Sequence, residues 1–170
     1  MGIVLMINKT KTLEEQVFEK LKEKQLRITT AESCTGGLLS GRLINVAGIS
    51  TYLKEAYVTY SDAAKHKLLG VSSETLERYT AVSEQTAYEM AEGGAKAADA
   101  DICLAVTGIA GPESEGEQFP AGLIYLGCYY KGTTFCSKKI FSGNRMEVRT
   151  QAVEASLAML LEIMNTEETT

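Results

Sequence analysis

The sequence has no tryptophan, two prolines, a single histidine and four cysteines among 170 residues, and these scarcities exclude several chemistries. With His66 as the only imidazole, neither a histidine-based catalytic triad nor a multi-histidine metal site can be assembled within one chain. Cys34, Cys103, Cys128 and Cys136 contain no Cys-x-x-Cys pair. Zinc-ribbon and thioredoxin-type readings therefore lack their ligands, and buried free thiols are expected. Positive charge is also short: 17 Lys and Arg against 22 Asp and Glu leave a net charge of −5. Such a surface offers no basic field to nucleic acid.

No apolar run approaches the ~20 residues needed to span a bilayer. The start, MGIVLMINKTK, has no basic region before its apolar stretch and no small-residue cleavage pattern. A cytoplasmic protein without membrane contact is expected. The two standard nucleotide-phosphate fingerprints, G-x-x-x-x-G-K-[ST] and G-x-G-x-x-G, are missing too.

What remains is a globular composition, 45% hydrophobic and 23% charged. It predicts one domain over residues 1–170 with a core at about 12–164. TLEEQVFEKLKEKQ has helical spacing behind a Thr12 cap, and LRITTA reads as a strand running into TTAESCTGG. LLSGRLINV resumes a helix. AYVTY (56–60) predicts a second strand, SDAAKHKLLG a helix capped by Ser61 and closed at Gly70, and Ser83 with Glu84 the start of a long helix. DICLAVTG is apolar enough for a central strand covered on both faces. GLIYLGCYY and TTFCSKKIF around KG read as a hairpin, and 144–164 as a last helix with NTEETT fraying beyond it. Strands alternating with helices predict α/β class: a three-layer α/β/α sandwich on a mixed, mostly parallel sheet. Sites in such sheets gather at the carboxyl ends of strands, where TTAESCTGG and VTGIAGP both fall.

Candidate chemistry follows from those ends. A strand passing through Ser33, Thr35, Gly36 and Gly37 into a helix aims backbone N–H groups at an anion, or presents Ser33 as a nucleophile, and Glu32, Thr35 and Gly36 are expected to contact the substrate. Thr107, Gly108, Ala110 and Gly111 form a second glycine-relieved loop. Without a usable histidine, a hydroxyl must be activated by lysine, tyrosinate or both, and Ser50, Tyr60 and Lys65 supply such a set. Arg145 and Arg149, one turn apart, suit a phosphate.

TTAESCTGG, YVTYSDAAKHKLLGV, AVSEQTAYEMAEG, VTGIAGP, PAGLIYLG and FSGNRMEVRTQAV, in that order and spacing, resemble the CinA C-terminal domain, the nicotinamide-nucleotide amidase family. The resemblance runs over about residues 12–164 and implies hydrolysis of the carboxamide of nicotinamide mononucleotide (NMN), without cofactor or metal, by a protein that associates with copies of itself. It implies a stand-alone amidase domain, and it leaves a non-catalytic nucleotide-binding module as the alternative. On this basis Ser50 is expected to attack, assisted by Tyr60 and Lys65, with Ser33 as rival nucleophile. The Ser33 motif otherwise holds phosphate or oxyanion together with Thr107 and the 108–111 amides, and Arg145 or Arg149 pairs the phosphate. Two departures from the family pattern stand out: GPESEGEQFP carries fewer glycines than usual, and Ala121 replaces a common valine.

Overall fold

Helix α1 (Leu13–Lys24) opens on a reciprocal cap: the Thr12 hydroxyl accepts from the Glu15 N–H, and the Glu15 carboxylate accepts from the Thr12 N–H. The computed structural model describes residues 11–168, so the apolar start and the last two residues lie outside the described residues. Then follow β1 (Ile28–Glu32), α2 (Leu38–Ile44), β2 (Tyr57–Val58), α3 (Asp62–Leu69), α4 (Ser73–Tyr79) and α5 (Glu84–Ala97). The chain ends with β3 (Ile102–Gly108), β4 (Leu123–Tyr130), β5 (Thr133–Ile140) and α6 (Arg145–Glu168). Ser61, Ser72 and Ser83 each cap a helix through the side-chain oxygen.

The five strands form one sheet in the order β2-β1-β3-β4-β5. β1 pairs in parallel with β2 and β3, whereas β3–β4 and β4–β5 are antiparallel. β4 alone therefore runs against the other four, and the mixed, mostly parallel sheet expected from the sequence is present. Alternation along β3 shows how both faces are filled. Ile102, Leu104 and Val106 join Val17, Leu21, Leu39, Leu43 and Leu157 from α1, α2 and α6. Cys103 and Ala105 join Leu69, Met90 and Ala91 from α3 and α5. The result is α/β/α. Each fully buried leucine here contributes roughly 1.5–3 kcal/mol of transfer free energy. A Cβ on Gly93 would come within 1.7 Å of the Leu69 carbonyl oxygen, so this glycine sets the close approach of α5 to α3.

Two elements differ from expectation. β2 spans two residues rather than five, because after Val58 the Thr59 N–H still bonds the Glu32 carbonyl but the chain then turns into the Ser61 cap. The last helix continues through Glu168 instead of fraying after 164. Glu167 is bonded by Lys131 and by the Tyr130 hydroxyl, which hold its carboxyl at about 2. No helix among the described residues is long and apolar enough to cross a membrane.

The topology brings the turn after β1, the β2–α3 junction, the loop after β3 and the start of α6 to one end of the sheet.

Candidate active site

At that end, TTAESCTGG folds around its own glutamate. Glu32, the last residue of β1, is fully buried and accepts from the N–H groups of Gly37 (3.2 Å), Leu39 (2.8 Å) and Ser40 (3.0 Å) and from the Thr30 hydroxyl (3.1 Å). A carboxylate at unpaired amides of a helix start is the favoured partner for them. Those amides are consequently taken by the protein itself. Glu32 does not line the cavity, which corrects its expected role as a substrate contact. Thr35 is likewise buried, and a Cβ on Gly36 would lie 3.5 Å from the Arg149 guanidinium; neither residue lines the cavity. Arg149 donates to the carbonyls of Cys34 (2.9 Å) and Thr35 (3.0 Å) and is also absent from the lining, so it holds the turn rather than an open phosphate site.

The turn leaves Ser33 half-buried and facing a cavity of about 550 Å³. Lys65, one turn into α3, reaches the same point. Its side chain is 1% exposed, and Nζ donates to Ser33 Oγ (3.0 Å) and to the Thr59 carbonyl (3.0 Å). Burial pushes the Lys65 pKa down, with Asp62 and then Cys34 partly opposing it. No carboxylate forms an ion pair with Lys65 among the described residues. A desolvated amine bonded to a serine hydroxyl is the arrangement that activates a nucleophile when histidine is lacking.

Tyr60, Thr107, Gly108, Ala110, Gly111 and Arg145 line the cavity with Ser33 and Lys65. The hydroxyl of Tyr60, a residue 63% exposed at the rim, accepts from Arg145 (3.0 Å), and Lys65 bonds Ser33 and Thr59 instead, so the expected Tyr60–Lys65 pair is not made. Arg145 also donates to the Gly111 carbonyl (2.6 Å). Thr107 donates to the Ala81 carbonyl (2.6 Å). The Ile109 N–H is taken by Leu123, whereas the N–H groups of Ala110 and Gly111 have no protein acceptor among the described residues.

Ser50 is elsewhere. It is exposed, in a 3-10 turn over Ile49–Thr51, and its carbonyl accepts from Lys54. The residues after it, Tyr52 and Leu53, pair with Ile28 at the amino end of β1, whereas Ser33 follows the carboxyl end. Five strand residues at ~3.3 Å each separate the two levels by roughly 15 Å. The ranking of the two serines is thereby reversed. Ser50→Ala is expected to leave turnover within about twofold, as for other exposed substitutions away from special features, and steady-state kinetics checks it.

Sequence reasoning missed Cys34, Asp62, Val82 and Glu113 as cavity residues. Cys34 adjoins Ser33 and was discoverable by adjacency, although burial pushes its thiol up to about 11. Val82 lies in the AVSEQTAYEMAEG block, whose residues signal a helix start and not a cavity wall. His66 lies on the exposed side of α3 with Nδ1 on the Val71 carbonyl. No group of three His, Cys, Asp or Glu is placed to hold a metal among the described residues.

The sequence matches the profile described as the CinA C-terminal domain over residues 10–164. A protein of Alkaliphilus metalliredigens described as competence-damage inducible is 56% identical over 138 residues, covering 81% of this chain and 34% of that protein. A CinA-like protein of Kosmotoga olearia is 48% identical over 146 residues, covering 86% and 35% respectively. The chain spans about a third of the length of the curated relatives it matches. Among solved structures, a CinA superfamily protein from Enterobacter cloacae superposes with TM-score 0.87 at 40% identity over 96% of this chain and 99% of that one. A CinA superfamily protein from Escherichia coli gives 0.86 at 39%, with 95% of each covered.

Proposed function

We propose, from the premise that the chain belongs to the CinA C-terminal domain family, that this cleft hydrolyses the carboxamide of NMN to nicotinate mononucleotide and ammonia. Ser33 is the nucleophile and Lys65 its base. The observation that carries the reading is the 3.0 Å contact between Ser33 Oγ and the amine of a lysine that is 1% exposed.

The steps balance within the chain and water. Neutral Lys65 takes the Ser33 hydroxyl proton as Oγ bonds the carboxamide carbon, whose electrophilicity is raised by the attached pyridinium. Negative charge on the carboxamide oxygen faces the wall containing the free N–H groups of Ala110 and Gly111. Lys65 passes its proton to the nitrogen as the C–N bond breaks, and ammonia leaves. Water then attacks the acyl-Ser33 ester, with Lys65 taking its proton and returning one to Oγ. Neither metal nor cofactor enters this scheme.

Arg145 is the preferred phosphate partner of the two arginines. It lines the cavity, forms no carboxylate ion pair among the described residues, and spends two of a guanidinium's five donors on Gly111 and Tyr60. The test is ammonia release from NMN by the purified protein. Turnover supports the amidase; saturable NMN binding without ammonia would instead assign a nucleotide-binding module.

A further inference from the structure

Glu32 and Arg149 contact opposite polar edges of the same short turn. Glu32 gathers donors, the N–H groups of Gly37, Leu39 and Ser40; Arg149 gathers acceptors, the carbonyls of Cys34 and Thr35. The five bonds span residues 34–40, immediately after Ser33. Ser33 itself is fixed to β3 through its N–H on the Val106 carbonyl. Within the turn, Gly36 and Gly37 have φ of 57° and 100°, a conformation that glycine adopts without steric cost but does not enforce. The enforcement comes from the two charged side chains, whose charge-assisted bonds are stronger and more directional than neutral ones.

We infer that Glu32 and Arg149 are positioning residues for the nucleophile, clamping the 34–40 turn so that Ser33 Oγ stays within hydrogen-bond reach of Lys65. The inference rests on the serine–lysine reading above. Arg149 is the informative partner, because it is half-buried and comes from α6, a different part of the chain. Arg145, one turn earlier on the same helix, holds Gly111 and Tyr60. The first two turns of α6 therefore set the nucleophile's turn and the facing cavity wall from one rigid element.

The experiment compares wild type with Arg149→Ala and Arg149→Lys, each with and without added guanidinium at low, non-denaturing concentration. Activity is followed with NMN, and amide hydrogen exchange is followed over the segment 33–40. Displacing a reacting group by about 1 Å costs on the order of 100-fold. Arg149→Ala should accordingly lose about that factor in kcat with KM within about threefold, and guanidinium should restore most of it. Arg149→Lys, which places a charge but cannot fork across two carbonyls, should fall between. An unchanged kcat with only a lowered Tm would overturn the inference in favour of a purely structural role. A raised KM at constant kcat would overturn it in favour of substrate binding. If wild type releases no ammonia, the amidase reading fails on its own, and the clamp is decided by exchange. Faster exchange at 33–40 in Arg149→Ala, reversed by guanidinium, supports it; identical exchange refutes it.

Discussion

Ser33→Ala should lower ammonia release from NMN by on the order of 10⁴-fold or more, the range seen when a nucleophile that acts as part of a unit is removed. Nucleotide binding should persist. The reason is positional: Ser33 Oγ lies at the cavity surface, and its loss removes one acceptor from Lys65 while leaving Arg145, Gly111 and the rest of the wall in place. Turnover and calorimetric NMN binding, measured on the same preparation, separate attack from recognition. Ser33→Ala with residual turnover near wild type would return the nucleophile's role to another hydroxyl.

The second large effect belongs to Lys65. Replacement by methionine fills a similar buried volume and removes the proposed base, which should lower kcat by about 10²–10⁴-fold. The pH dependence is more diagnostic. The amine must be neutral to accept the serine proton, and burial lowers its pKa from that of an exposed lysine. Wild-type kcat/KM should therefore rise with pH on a limb whose midpoint lies below the ordinary lysine value of about 10.4, and that limb should vanish in Lys65→Met. Stability responds in the same direction. A lysine with a lowered folded-state pKa binds its proton less tightly folded than unfolded, so stability rises with pH between the folded and unfolded pKa values and the contribution is lost below that window. Initial rates and chemical denaturation across neutral to alkaline pH check both. A flat profile would mean that Lys65 is not the titrating base.

Much of the architecture was legible because its determinants are local. Serine caps at 61 and 83, the hairpin around KG and the last helix from about 144 are each written in local sequence, and all fold as expected, save that the helix runs on to Glu168. The site was only partly legible, since its assignments depend on which polar atoms find partners across the sheet. Nothing in the residue types of Glu32 and Arg149 distinguishes a ligand contact from an internal clamp; their buried bonds do. Ser50 lies close in sequence to Tyr60 and Lys65, yet the intervening residues descend to the amino edge of β1 before returning. Sequence proximity misleads wherever a chain crosses a sheet from end to end.

The loop after β3 is pinched at its base by two backbone bonds, Ile109 N–H to Leu123 and Gly122 N–H to Ile109, and stitched inside by Glu115 N–H to Phe119 and Ala121 N–H to the Ser114 hydroxyl. That closed neck insulates the β3–β4 ladder from whatever the loop contains. The segment 112–120 can be lengthened, shortened or recharged, and the mouth of the cavity reshaped, without moving the Ser33–Lys65 contact. For an engineer it is the natural place to change what enters the cavity while leaving its floor unaltered.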